Sequence, residues 1–234
     1  MTTTEGPAAR RTRLNRETVL QRAVELADAE TLESVSMRRL AGELDVVPMA
    51  LYKHVSGKED LAAGMLDQVL VGMEALRAGP GTAATALGWR STLRSRILAT
   101  RASLLRHPWA LTVIESSTTP TPTVLAYLEG TIEVFLRAGF SPALTHQAMH
   151  ALGSRVWGFT HELFPAPPPA SAEEAAAAAA ALAEHFPGIL AVAGAARHDA
   201  NGILGPGCDD QFEFEFALDL LLDGFEARRA AEAD

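Results

Sequence analysis

Along the first sixty residues the apolar positions repeat with the period of amphipathic helices, in short segments. Leu20, Ala23, Val24 and Ala27 give one face to a helix over 16–29, with Asn15 as its cap. Met37, Leu40, Ala41 and Leu44 fall at i, i+3, i+4 and i+7. This second stripe starts just after Ser36, whose hydroxyl can accept an orphan backbone N–H. Asp45-Val46-Val47 breaks the pattern, and Pro48 suits the first position of a third helix, where its missing N–H is no loss. Leu51 and Val55 lie on one side of that helix, while Met49, Tyr52 and Lys53 point elsewhere. Ser56 and Glu59 have the spacing of a capping box for a fourth helix over 59–77. Leu20, Val24, Leu40, Leu44, Leu51 and Val55 can close a small core, each worth roughly 1.5–3 kcal/mol when fully buried.

The rest of the chain also reads as helical. Residues 85–106 turn Leu93, Ile97 and Leu104 inward, His107-Pro108 interrupts, and a short helix follows through Ile114. After a proline-punctuated turn, 123–138 is a helix ending at Gly139, and Ser141-Pro142 opens a long helix to Phe164. The prolines of residues 165–171 require a loop. The alanine run 172–183 is a helix or a mobile flap, a glycine-spotted segment follows to Gly207, and 209–230 is the last helix. Residues 212–216 alternate like a strand. However, Phe214, Leu218, Leu221 and Phe225 continue at helical spacing, beside a second row of Phe212, Phe216 and Leu220. That apolar face is wider than the core of one subunit needs. The expected fold class is all-α: an N-terminal three-helix domain containing a helix-turn-helix, followed by a larger C-terminal helical domain.

Charge and aromatic content divide the chain in the same way. The net charge is −9, yet Arg10 to Lys58 holds nine Lys and Arg against seven Asp and Glu. The acidic surplus lies beyond Lys58, where it would repel nucleic acid and help to orient the basic part. All nine Phe lie at or after Phe135, and before residue 80 the only aromatic is Tyr52. On a helix otherwise sealed by aliphatics, Tyr52 reads as a contact residue; packing on the second helix is the alternative. No run of eighteen apolar residues exists, so no membrane span is expected, and the N-terminus lacks the apolar stretch of a secretory signal. With a single cysteine, Cys208, a cytoplasmic protein is the simplest expectation.

Two short helices joined by a tight turn present the start of the second to the DNA major groove. Val47, Pro48, Met49 and Ala50 would offer apolar surface to thymine methyl groups. Lys53 is the long donor, reaching guanine or phosphate. Tyr52, His54 and Lys58 can donate to phosphates, and Ser36 and Arg38 can hold the neighbouring ones from the preceding helix. Arg39 reads as a salt-bridge partner rather than a DNA contact. Arg10, Arg11 and Arg13 form a mobile basic arm over residues 1–13. So few bidentate donors imply that part of any specificity comes from DNA shape.

The run from Leu14 to Leu61, and above all Leu51-Tyr52-x-His54-Val55 followed by Lys58-Glu59-x-Leu61, resembles the DNA-binding domain of TetR-family transcriptional regulators. The resemblance places that domain at 14–62 and a regulatory, ligand-binding and dimerisation domain at 63–234. The family turn commonly carries Gly where this chain has Asp45, which tolerates left-handed backbone better than most residues. The ending FEFALDLLLDGFEAR resembles the last helix of the family's regulatory domains. By that resemblance, helices 141–164 and 209–230 pair with those of a second subunit. The resemblance further implies a dimer on palindromic double-stranded DNA, a small-molecule effector, and repression, with an activator or a regulator without an effector as the alternative. No cofactor and no catalytic residue are expected.

The effector pocket is expected among Met65, Val69, Met73, Leu93, Ile97, Arg101, Trp109, Val113, Phe135, His150 and Trp157, apolar or aromatic positions with a few polar groups. His146, His150, Trp157 and His161 share one face of the long helix. His146 and His150 have a zinc-compatible spacing, but Gln147 stands where a metallohydrolase needs its glutamate, so zinc hydrolysis is not expected; metal binding of any other sort is the less favoured alternative, and no metal ligand is assigned. These histidines face either a ligand pocket or a dimer seam.

Overall fold

A computed structural model describes residues 14–77, 88–158, 171–188, 191, 198–199 and 207–233. The basic arm, His161 and most of the proline loop lie outside them. By its contacts the chain divides into two compact units, Met1–Val134 and Phe135–Asp234. Residues 14–62 thus belong to the same unit as the helices that follow them.

In the first unit, α1 (Arg16–Ala29) begins with Asn15 accepting the Thr18 N–H at 2.7 Å. Its buried stripe is centred on Ala23 and takes in Val19, Leu20, Leu26 and Ala27, while Val24 is only half-buried. A single helical turn at Leu32–Ser34 leads to α2 (Met37–Glu43), α3 (Pro48–Leu51) and the long α4 (Lys58–Arg77). Leu40, Ala41, Leu51, Val55 and Leu61 complete the small core; Leu44 sits at its edge, half-buried. Then come α5 (Gly88–Arg106), α6 (Trp109–Ser116) and α7 (Pro122–Arg137), the last crossing the division between units. Helix α4 packs on α1, α5 and α6.

The capping of α4 departs from expectation. Glu59 does not close the box with Ser56. Asp60 does, accepting the Ser56 N–H at 2.7 Å and its hydroxyl at 3.2 Å. Asp60 is chosen because it is also the carboxylate that Arg16 reaches, at 2.6 Å.

In the second unit, α7 ends in a left-handed Gly139 (φ +85°), with the Phe140 N–H bonded back to the Phe135 carbonyl at 3.2 Å. Helix α8 (Pro142–Gly158) starts with Ser141 Oγ accepting the Leu144 N–H. Helix α9 (Ala172–His185) fills the alanine run, so of the two readings the helix holds. A two-residue antiparallel ladder, β1 (His198–Asp199) with β2 (Gly207–Cys208), lies within the glycine-spotted segment. Helix α10 (Asp210–Ala233) packs on α8 and buries Phe214, Leu218, Leu222 and Phe225. Leu222 takes the place expected for Leu221, which is only half-buried: the contact line on α8 follows the Phe214–Leu218–Leu222 row. Among the described residues the architecture is all-helical apart from that short ladder, and no helix is long and apolar enough to cross a membrane.

Candidate functional site

Helix α2 is closed at both ends by its own sequence. Ser36 Oγ accepts the Arg39 N–H at 3.2 Å. At the other end Asp45 adopts φ +53°, its N–H bonds to the Gly42 carbonyl, and the Val46 N–H to the Ala41 carbonyl at 3.0 Å. That double bond is a Schellman turn, and it reverses the chain within three residues. Val47 is extended and Pro48 starts α3. Regular helix covers only Pro48–Leu51, so Tyr52, Lys53 and Val55, expected on the same helix, lie beyond it. Beyond it the His54 N–H bonds to the Leu51 carbonyl at 2.8 Å, tightening the last turn.

This short helix has two contrasting sides. Leu51 and Val55 are fully buried. Val47, Met49 and Tyr52 are 69%, 71% and 49% exposed. Ser36, Arg38, Pro48, Lys53 and Lys58 are exposed as well, and Ala50 and His54 are half-buried. None of the ten expected DNA-contact residues is buried. Adjacent apolar side chains held in water gain nothing for the fold, whereas they fit base methyl groups in a groove.

Ion pairing sorts the cations around this surface. Arg39 pairs with Glu30 at 2.8 Å and Glu43 at 3.2 Å, as its salt-bridge reading anticipates. Arg22 pairs with Glu25 and Glu43 at 2.8 and 2.5 Å, and these two arginines hold the Glu43 carboxyl below its ordinary pKa. Among the described residues, Arg38, Lys53 and Lys58 form no salt bridge, although the charge of Lys58 is among the causes that lower the Glu33 carboxyl pKa.

Of the expected pocket residues, Met65, Val69, Leu93, Ile97, Arg101, Trp109 and Val113 are buried where α4, α5 and α6 pack together. Phe135 belongs to the second unit, edge-on to Phe140 and Phe225 at 5.0 and 5.9 Å. The side chains of Met73 and Trp157 lie outside the described residues. His150 is exposed and does not point inward. Helix α8 buries Leu144, Ala148 and Leu152, and His146 and His150 fall on the opposite side, their rings 4.6 Å apart. Two surface hollows, of about 450 Å³ beside Gly139 and Arg229 and about 380 Å³ beside Ser36 and Arg38, include no expected pocket residue.

Sequence reasoning missed two polar groups. On α5, Arg96 is buried: its Nε donates to Thr131 at 2.7 Å, a second nitrogen donates to the Tyr127 carbonyl, and the guanidinium lies 4.2 Å over the Tyr127 ring. The Tyr127 hydroxyl is 2.7 Å from Thr100 Oγ1. The signal was the spacing of Arg96, Thr100 and Ser103, at i, i+4 and i+7 beside the Leu93–Ile97 stripe. The second group is Asp28, which binds the side chains of His107 and Trp109. No local pattern announces it, because its partners are some eighty residues away.

A helix-turn-helix with a solvent-facing second helix, joined to further packed helices, defines a DNA-binding regulator class. The model of the "Tetracyclin repressor-like, C-terminal domain" family matches residues 83–229, more than half of the chain, and the chain belongs to that family. It is 37% identical over 124 residues to the HTH-type transcriptional repressor DrrR1 of Streptomyces coeruleorubidus, covering 53% of this chain and 44% of that protein. It is 30% identical over 129 residues to the tetracycline repressor protein class E of Escherichia coli, covering 55% and 59%. The chain thus spans about half the length of the curated relatives it matches. The crystal structure of a possible TetR family transcriptional regulator from Streptomyces coelicolor A3(2) superposes with a TM-score of 0.64 at 26% identity, over 91% of this chain and 99% of that one.

Proposed function

We propose that the chain is a ligand-responsive transcriptional repressor of the cytoplasm that binds a palindromic operator as a homodimer and is released by a small-molecule effector. The observation that supports the reading is the exposure of Val47, Met49 and Tyr52 on the outer side of α3, with Leu51 sealed beneath them. Val47, Pro48, Met49 and Ala50 read bases, Lys53 reaches a base or a phosphate, and Ser36, Arg38, Tyr52, His54 and Lys58 clamp the backbone. Helices α8 and α10 pair with a second copy. The effector binds among the buried side chains of α4, α5 and α6 and moves α4 as a lever, changing the spacing of the two heads. It must prefer the released state, or nothing shifts. The names of the relatives, a transcriptional repressor and a tetracycline repressor, support repression and a small-molecule trigger.

Selection of bound duplexes from a random pool at two salt concentrations tests this reading, and a palindromic consensus is expected. Enrichment without sequence preference would overturn it in favour of a general DNA binder, whose affinity comes mainly from phosphates. On the selected site, Met49→Ala costs about 1–3 kcal/mol, whereas Lys58→Ala weakens binding to every duplex and flattens the salt dependence. Equal losses on all duplexes from both changes would mean that reader and clamp are misassigned.

A further inference from the structure

Asp28 ties together two parts of the first unit. It lies in the last turn of α1, and its Oδ1 accepts the indole N–H of Trp109 at 2.6 Å. Both of its oxygens also face Nδ1 of His107, at 2.8 and 3.0 Å. An ionised carboxylate can only accept, so Nδ1 of His107 carries the hydrogen. His107 and Trp109 flank Pro108, the corner between α5 and α6, and Trp109 is itself buried. Two residues beyond Asp28, Glu30 holds Arg39 of α2. Two sets of polar bonds, joined by the backbone at the end of α1, therefore link the α5–α6 corner to the first helix of the helix-turn-helix.

One attachment would leave the head free to swivel. Helix α4 supplies one, because it packs on α1 and continues past the head. Asp28 supplies a second, near the opposite end of α1 from Arg16, which binds α4 at its start. Charge-assisted bonds to two donors are directional, and they fix orientation in a way that apolar packing does not.

We propose that Asp28 is a positioning residue: its carboxylate couples the α5–α6 corner to the reading head, so that the attitude of α2 and α3 follows the position of the corner. The inference rests on the DNA-binding reading above. In a dimer it makes the spacing of the two heads depend on this bond set, and α5, with its buried Arg96 and Arg101, is the helix whose displacement the bonds transmit.

The test uses the full chain, a duplex recovered by selection from a random pool, and the corresponding half-site duplex. The Trp109 indole ¹⁵N–¹H resonance, assigned by its loss in Trp109→Phe, shifts when the wild-type chain binds the full site. In Asp28→Ala that response disappears. The ratio of full-site to half-site affinity falls about tenfold, within the usual range of coupling between sites, while half-site affinity and helical content stay unchanged. Asp28→Asn, which keeps an acceptor for Trp109, retains part of the ratio. A full site that binds without moving the Trp109 resonance, or an Asp28→Ala variant with the wild-type ratio, overturns the coupling and leaves the DNA-binding reading standing. Equal loss on both duplexes also overturns it, since the head would simply be damaged. Failure of the wild-type chain to bind any duplex overturns the DNA-binding reading, and the coupling with it.

Discussion

The guanidinium of Arg16, in the first turn of α1, grips the carboxylate of Asp60, in the first turn of α4, through two bonds of 2.6 and 3.1 Å. The same guanidinium donates to the His54 carbonyl at 2.7 Å, and Asp60 accepts the Ser56 N–H. The turn that follows α3 is thus fastened to α1 and α4 by one ion pair. Arg16, and then the Ser56 N–H, hold the Asp60 carboxyl down at about 2.

That depression makes head stability depend on pH in a defined window. The stabilisation is complete above the unfolded carboxyl value near 4 and is lost as pH falls from about 4 to about 2. At neutral pH, Asp60→Asn destabilises by about 1 kcal/mol, since the pair is partly exposed and screened. Urea melts of wild type and variant between pH 7 and pH 2.5 check this. The gap between them is expected to close below pH 4. A gap that stays constant to pH 2.5 would show that Asp60 contributes nothing through its charge.

Helices α1 and α4 also approach closely at Gly64. A Cβ there would lie 2.6 Å from one terminal carbon of Leu20 and 2.9 Å from the other. Helix propensity alone favours Gly64→Ala by about 1 kcal/mol. Leu20 is buried, however, and can move only by disturbing the core, so overpacking of about 1–3 kcal/mol dominates. The expected outcome is a net loss of stability in chemical denaturation together with weaker duplex binding. A more stable Gly64→Ala would mean that Leu20 re-packs freely.

Asp45 offers the opposite case. It holds φ +53° at the C-terminus of α2, with an exposed side chain. Gly adopts that conformation without a Cβ clash, which outweighs its greater freedom in the unfolded chain. Asp45→Gly is expected to stabilise by about 0.5–1 kcal/mol and leave duplex affinity unchanged. Urea denaturation with a parallel binding titration measures both. A destabilised variant would show that the aspartate side chain holds the turn.

Periodicity made most of the helices legible, since they bury stripes that repeat in the chain itself. The turn at Asp45 was legible as well, because few residue types tolerate its backbone. What escaped was decided by partners far away in sequence. Glu59 and Asp60 are equivalent candidates for Ser56 until Arg16 selects one of them. His150 reads as inward until the Leu144–Ala148–Leu152 stripe fixes which side of α8 is buried. Arg96 has no role assigned from the pattern alone, because Tyr127 and Thr131, which satisfy it, come from α7.

The second apolar row of α10 yields the prediction on assembly. Phe212, Phe216 and Leu220 lie beside the buried row, and Phe216 and Leu220 are 55% and 56% exposed. A charge at either position therefore costs the folded subunit little. In a two-fold dimer each substitution counts twice, and burying such a side chain is worth roughly 1.5–3 kcal/mol. Phe216→Glu or Leu220→Glu is expected to weaken self-association on the order of a hundredfold or more, with helical content retained. Sedimentation and circular dichroism read the two quantities separately. The variant should lose preference for a palindrome over its half-site, because two linked heads are what make the longer site better. A Phe216→Glu chain that sediments as wild type and keeps that preference would remove α10 from the interface.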